Sequence, residues 1–144
     1  MDRESLQTDF ERIASRLFER SRDPRILAAY VYGSAIGPRH RPDSDLDIAV
    51  LDRSEDPLGW ESQCILMDRL ERAVGWPVDL RLLREGSLSF RHHVLTDGRP
   101  LWIHDEDAVR NLMADVDRAI QSDRPQREAD WAKTLRVLAE RGAP

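Results

Sequence analysis

The stretch YVYGSAIGPRHRPDSDLDIAVL, residues 30–51, decides how the rest of the chain is read. An apolar run ends at Gly33-Ser34, a polar loop follows over 33–44, and a second apolar run begins at Asp45-Leu46-Asp47. The loop holds Gly37, Pro38 and Pro42, residues that punctuate regular structure. The flanking runs, 26–32 and 45–51, are strand-sized and rich in strand formers. Successive side chains of a strand point to opposite faces, so Asp45 and Asp47 share one face while Leu46, Ile48 and Val50 share the other. Two carboxylates so placed can hold one hard cation such as Mg²⁺, which prefers oxygen ligands and bridges to phosphates.

Working outward, Pro77 introduces a third strand over 78–83, in which Val78, Leu80 and Leu82 alternate with Asp79 and Arg81. If this strand lies beside the second, Asp79 joins the face of Asp45 and Asp47. It could then be a third metal ligand and a general base for an acceptor hydroxyl. Aspartate is disfavoured inside strands, so three on one face call for a chemical reason beyond a half-exposed sheet. Gly33 lets the backbone turn and lets a phosphate come close. Ser34 and the loop amides can donate to phosphate oxygens. Of the loop cations Arg39, His40 and Arg41, Arg41 is the strongest candidate for a triphosphate contact. Arg81 and Arg84 could also neutralise phosphate, although surface ion pairing explains them equally well. His92-His93 lacks a matching ligand set, and the four tryptophans read as core or interface anchors.

The remaining segments read as helices and one more strand. Leu6, Phe10, Ile13 and Leu17 recur at helical spacing over 3–20, and Ile65, Leu66, Leu70 and Val74 do so over 58–74. Ser87 caps a short helix to about residue 95, Asp97-Gly98 turns, and 100–104 is a fourth strand. From Asp105 a helix runs until Ser122–Pro125 interrupts it, and 126–141 forms a further helix with Trp131, Leu135 and Leu138 as its apolar positions. The expected fold is α/β (α+β): a small mixed sheet of about four strands, with helices packed on one face and the other face open near the aspartates. One domain, 1–144, is expected, with 123–144 as a C-terminal helical extension.

With 144 residues there is room for one core. Net charge is −5, from 22 basic and 27 acidic residues, which argues against direct DNA binding. Cys64 is the only cysteine, so an internal disulfide is impossible. The first residues, MDRESLQTDF, are charged from the second onward and do not read as a secretory signal. No apolar run approaches membrane-spanning length. The expectation is a soluble, cytoplasmic protein without a membrane partner.

Gly33-Ser34, ten intervening residues and Asp45-Leu46-Asp47 resemble the signature of the minimal nucleotidyltransferases, within the polymerase-beta-like superfamily. The flanking VYGS and RPDSDLDIAVL, Val78-Asp79-Leu80, and the phrase from Val94 to Trp102 extend the resemblance over roughly residues 25–110. Ala35 stands where the family often has arginine, and Gly37 comes one place early. The resemblance implies transfer of a nucleoside monophosphate, most often AMP from ATP, with Mg²⁺. Many such proteins are antitoxins that adenylylate a tyrosine of a HEPN-domain ribonuclease toxin. The chain has little room for an acceptor-holding domain, so a partner protein would complete the site. Two alternatives stand beside this: an antitoxin that masks its partner by binding alone, and a transferase acting on a small molecule such as an aminoglycoside.

Overall fold

The hairpin that the opening stretch implies lies at the centre of a four-stranded sheet. The computed structural model describes residues 3–33 and 45–142. Strand β1 (Ile26–Tyr32) pairs antiparallel with β2 (Leu46–Asp52), and on its other edge with β4 (Arg99–Ile103). Strand β3 (Val78–Leu82) runs parallel to β2, giving the order β3-β2-β1-β4. The parallel step is made by helix α2 (Trp60–Val74), which crosses over between β2 and β3. Gly75 ends α2 in the left-handed conformation, φ 71°, as helix C-termini favour. Two hydrogen bonds then fix where β3 starts: Leu46 N–H to Pro77 O (2.8 Å) and Val78 N–H to Glu71 Oε1 (3.0 Å).

The mixed four-stranded sheet is as expected, but the helices divide between its two faces rather than gathering on one. Helix α1 (Arg3–Ser21) and α2 cover the face of Ile26, Val31, Ile48, Val50, Leu80 and Leu82. Helix α3 (Leu88–Asp97) and helix α4 (Glu106–Glu140) cover the face of Leu27, Tyr30, Ala49 and Leu51, chiefly through Val94, Leu112 and Val116. The reason is visible in β1, where every residue is buried. A strand apolar on both sides needs cover on both.

The second difference concerns α4. The sequence implies a break at Ser122–Pro125, yet one helix continues through Pro125 to Glu140. Helix-forming residues on either side keep its phase, and the ion pairs Asp123–Arg127 (3.8 Å) and Arg124–Glu128 (4.0 Å) span the proline. Asp105 caps its start by accepting from Ala108 N–H (3.0 Å). Every described residue from 121 onward is exposed, among them Trp131, Leu135 and Leu138.

Candidate active site

Three side chains line up across the sheet at one end of the α3–α4 face. Tyr32 on β1 is the register partner of Asp47 on β2, and Asp47 is the partner of Asp79 on β3. Residues directly opposite in a ladder share a face, so a phenol and two carboxylates stand side by side. As the expectation for Asp79's position requires, β3 lies beside β2, and Asp47 and Asp79 are cross-strand neighbours. Asp45 sits just ahead of β2 and is exposed, close enough for its charge to act on Asp47.

Gly33 closes this end. Its φ of 76° belongs to the left-handed region, and a Cβ there would lie 2.5 Å from Asp47 Oδ2. Glycine is thus required twice, for the turn and for the approach of the backbone to the carboxylate. Ser34 and Arg41, together with Arg39 and His40, lie outside the described residues.

The charge at the site is unbalanced. Burial pushes the Asp47 carboxyl above the usual carboxylate range, the neighbouring Asp79 pushes it further, Arg81 relieves it in part, and Asp45 adds to it. Burial, with the Asp47 charge next, pushes the Tyr32 phenol up to about 12. Arg81 approaches Asp79, Nε to Oδ2 3.4 Å, and its guanidinium lies 6.0 Å from the centre of the Phe90 ring. Phe90 meets Tyr32 edge-on, with ring centres 5.3 Å apart. Arg84 is directed elsewhere, donating to the carbonyl oxygen of Asp52 (2.7 Å) at the far end of β2. His93 Nδ1 lies 3.1 Å from Asp97 Oδ2, on the exposed side of α3.

Among the described residues, no group of three or more His, Cys, Asp and Glu side chains closes around one point. The donor chemistry nevertheless fits a hard dication. Asp47 and Asp79 are adjacent, Asp45 is near, all their ligand atoms are oxygens, and Arg81 is the one described cation that relieves Asp47. Tyr32 and Phe90 were not singled out from the sequence. Finding Tyr32 required the β1–β2 register, which the long loop between the strands conceals.

Residues 15–107 match the family described as polymerase beta, nucleotidyltransferase. The protein adenylyltransferase MntA of Shewanella oneidensis is 37% identical over 87 residues, covering 58% of this chain. The chain spans 59% of the length of that curated relative. A chain of a toxin–antitoxin crystal structure with AMP-PNP superposes with a TM-score of 0.67 at 25% identity, covering 85% of this chain and 98% of that one. A chain of the complex of a tri-AMPylated Shewanella oneidensis HEPN toxin with an MNT antitoxin gives 0.63 at 25% identity, covering 90% and 98%.

Proposed function

This chain belongs to the polymerase beta, nucleotidyltransferase family, and from that premise we propose that it transfers AMP from ATP to a tyrosine hydroxyl of a HEPN-domain toxin and so acts as its antitoxin. The observation that carries the reading is the Asp47–Asp79 pair on adjacent strands, with Gly33 backbone against it. The relatives' names support it: one is a protein adenylyltransferase, and another stands in complex with an AMPylated HEPN toxin.

In this reading Asp45, Asp47 and Asp79 hold Mg²⁺ when nucleotide is bound, and the ion supplies neutralisation of triphosphate charge. Gly33 lets the phosphates approach, and Ser34 and Arg41 donate to them. Asp79 lies on the edge strand, where an acceptor from another protein can reach it. Its carboxylate takes the phenol proton. The phenol oxygen bonds to the α-phosphorus, the bond from that phosphorus to the bridging oxygen breaks, and pyrophosphate leaves with the electron pair.

We read 1–144 as a single domain and 123–144 as an extension that meets the partner. No helix among the described residues is long and apolar enough to cross a membrane. An ATP-dependent antitoxin works in the cytoplasm. The test is incubation of the protein with α-labelled ATP, Mg²⁺ and its HEPN-domain partner. Label should appear on the partner and be absent with the folded Asp45→Asn/Asp47→Asn variant. If no label ever transfers, the proposed activity is wrong.

A second reading, neutralisation by occlusion, is favoured by the exposed apolar positions Trp131, Leu135 and Leu138. It requires the same double variant to protect cells fully, and loss of protection refutes it.

A further inference from the structure

Most arginines of this chain are tied down locally. Arg12 pairs with Asp9, Arg25 with Asp23, Arg72 with Asp68, Arg99 with Glu11 and Arg118 with Asp115. Four are not. Among the described residues, Arg16, Arg20, Arg22 and Arg69 make neither an ion pair nor a side-chain hydrogen bond, and all four are exposed on the α1–α2 side. Three of them, Arg16, Arg20 and Arg69, rim a groove of about 460 Å³ between α1 and α2. Its floor is apolar: Ile13, Leu17 and Ala73. Arg22 adjoins it, lining a neighbouring hollow with Arg16, Glu19 and Arg20.

Two features set this cluster apart from a solvated helix face. Net charge is −5, so unpaired guanidiniums gathered around one groove form a local reversal of sign. Arg22 also has φ 48°, the one positive value outside glycine among the described residues. A helix C-terminus there suits Gly or Asn, yet the chain carries a third cation beside Arg16 and Arg20.

We propose that the α1–α2 groove docks an acidic amphipathic segment of a partner protein. An apolar side chain of that segment seats on Ile13, Leu17 and Ala73, and its carboxylates pair with Arg16, Arg20 and Arg69. An apolar floor is of no use to a phosphate backbone, and the overall acidity of the chain opposes nucleic acid at longer range. Arginine forks match carboxylates in two-point geometry, which suits the rim. The groove backs onto the opposite sheet face from Asp47 and Asp79, so docking there leaves the carboxylate end free.

The test uses the full chain and a dye-labelled, Glu- and Leu-rich helical peptide, with a Lys- and Leu-rich peptide and a single-stranded oligonucleotide as comparison probes. The acidic peptide alone should bind, more weakly as salt rises. It should shift the side-chain Nε–H NMR signals of Arg16, Arg20 and Arg69 ahead of other arginines. Arg16→Glu/Arg20→Glu should weaken binding by about tenfold or more, and Arg16→Gln/Arg20→Gln in the same direction. The charge-matched Arg110→Glu/Arg118→Glu should change it little. Equal loss in both Glu variants, shifts spread over all arginines, tighter oligonucleotide binding, or self-association of the chain through the same arginines would each overturn the proposal.

Discussion

Asp47 and Asp79 face each other across the parallel β2–β3 ladder, two like charges in direct register on adjacent strands. Sheets avoid this arrangement, because opposed like charges lose free energy that almost any neutral pair would keep. Here burial compounds the repulsion at Asp47, and Arg81 offsets only part of it.

The first prediction is therefore a divergence of stability and activity. Asp47→Asn keeps the side-chain shape and removes the repulsion. The fold should gain on the order of 0.2–1 kcal/mol, read as a higher urea midpoint at neutral pH. Transfer of AMP, under the proposed function, should fall to background. A variant that is both less stable and still active would contradict the role given to this carboxylate.

Gly33→Ala tests the backbone side of the same contact. The left-handed φ of 76° costs a side chain about 1–2 kcal/mol, and the new Cβ displaces the Asp47 carboxylate. Combined with Asp47→Ala, which removes the obstructing atoms, the stability loss should shrink toward the backbone part alone. That non-additivity, measured in a double-mutant cycle by denaturant unfolding, is the expected result. Strictly additive losses would mean that the two residues do not touch.

How much of this was legible beforehand depends on distance along the chain. The alternation of Asp45-Leu46-Asp47-Ile48 and of Val78-Asp79-Leu80 is local, so both strands and the shared face of the aspartates could be read directly. The pairing of Tyr32 with Asp47 could not, because the loop between them is too long to count a register across. Cover on the second sheet face was also hidden. It is assembled from Leu83, Val94, Leu112 and Val116, which lie far apart in sequence. Pro125 misled for a plainer reason. Proline disfavours a helix interior, but the residues around it favour helix enough to carry on.

Acid should loosen the fold through Asp23. Hydrogen bonds from the Arg25 side chain, Nη2 to Oδ2 2.7 Å and Nε to Oδ1 3.0 Å, hold its carboxyl below the ordinary value of 3.8. A carboxylate whose folded pKa is depressed stabilises the fold above its unfolded pKa, and that contribution is lost as pH falls through the folded value. Asp47 works in the opposite sense, since its raised pKa favours the fold on acidification. Asp23→Asn isolates the first effect. Wild type should exceed it in stability at pH 7, and the gap should close below about pH 4, followed by denaturant unfolding across the pH range. A gap that persists undiminished at pH 2 would show that the ion pair is not its source.

Pro125 offers the last test, because it sits in the middle of a 35-residue helix where its missing N–H leaves one carbonyl without an intrahelical donor. The exposed half beyond it is held by little else, since every described residue from 121 is solvent-facing and its ion pairs are exposed ones of small worth. Pro125→Ala restores the backbone bond and should stabilise that half by up to about 3 kcal/mol. The gain should appear as slower amide exchange over 121–140 and leave β1 and β2 unchanged, because the core contacts of α4 end at Ile120. If slowing spread equally into the sheet, the two halves of α4 would be one cooperative unit, and the distal half could not serve as an independent contact surface.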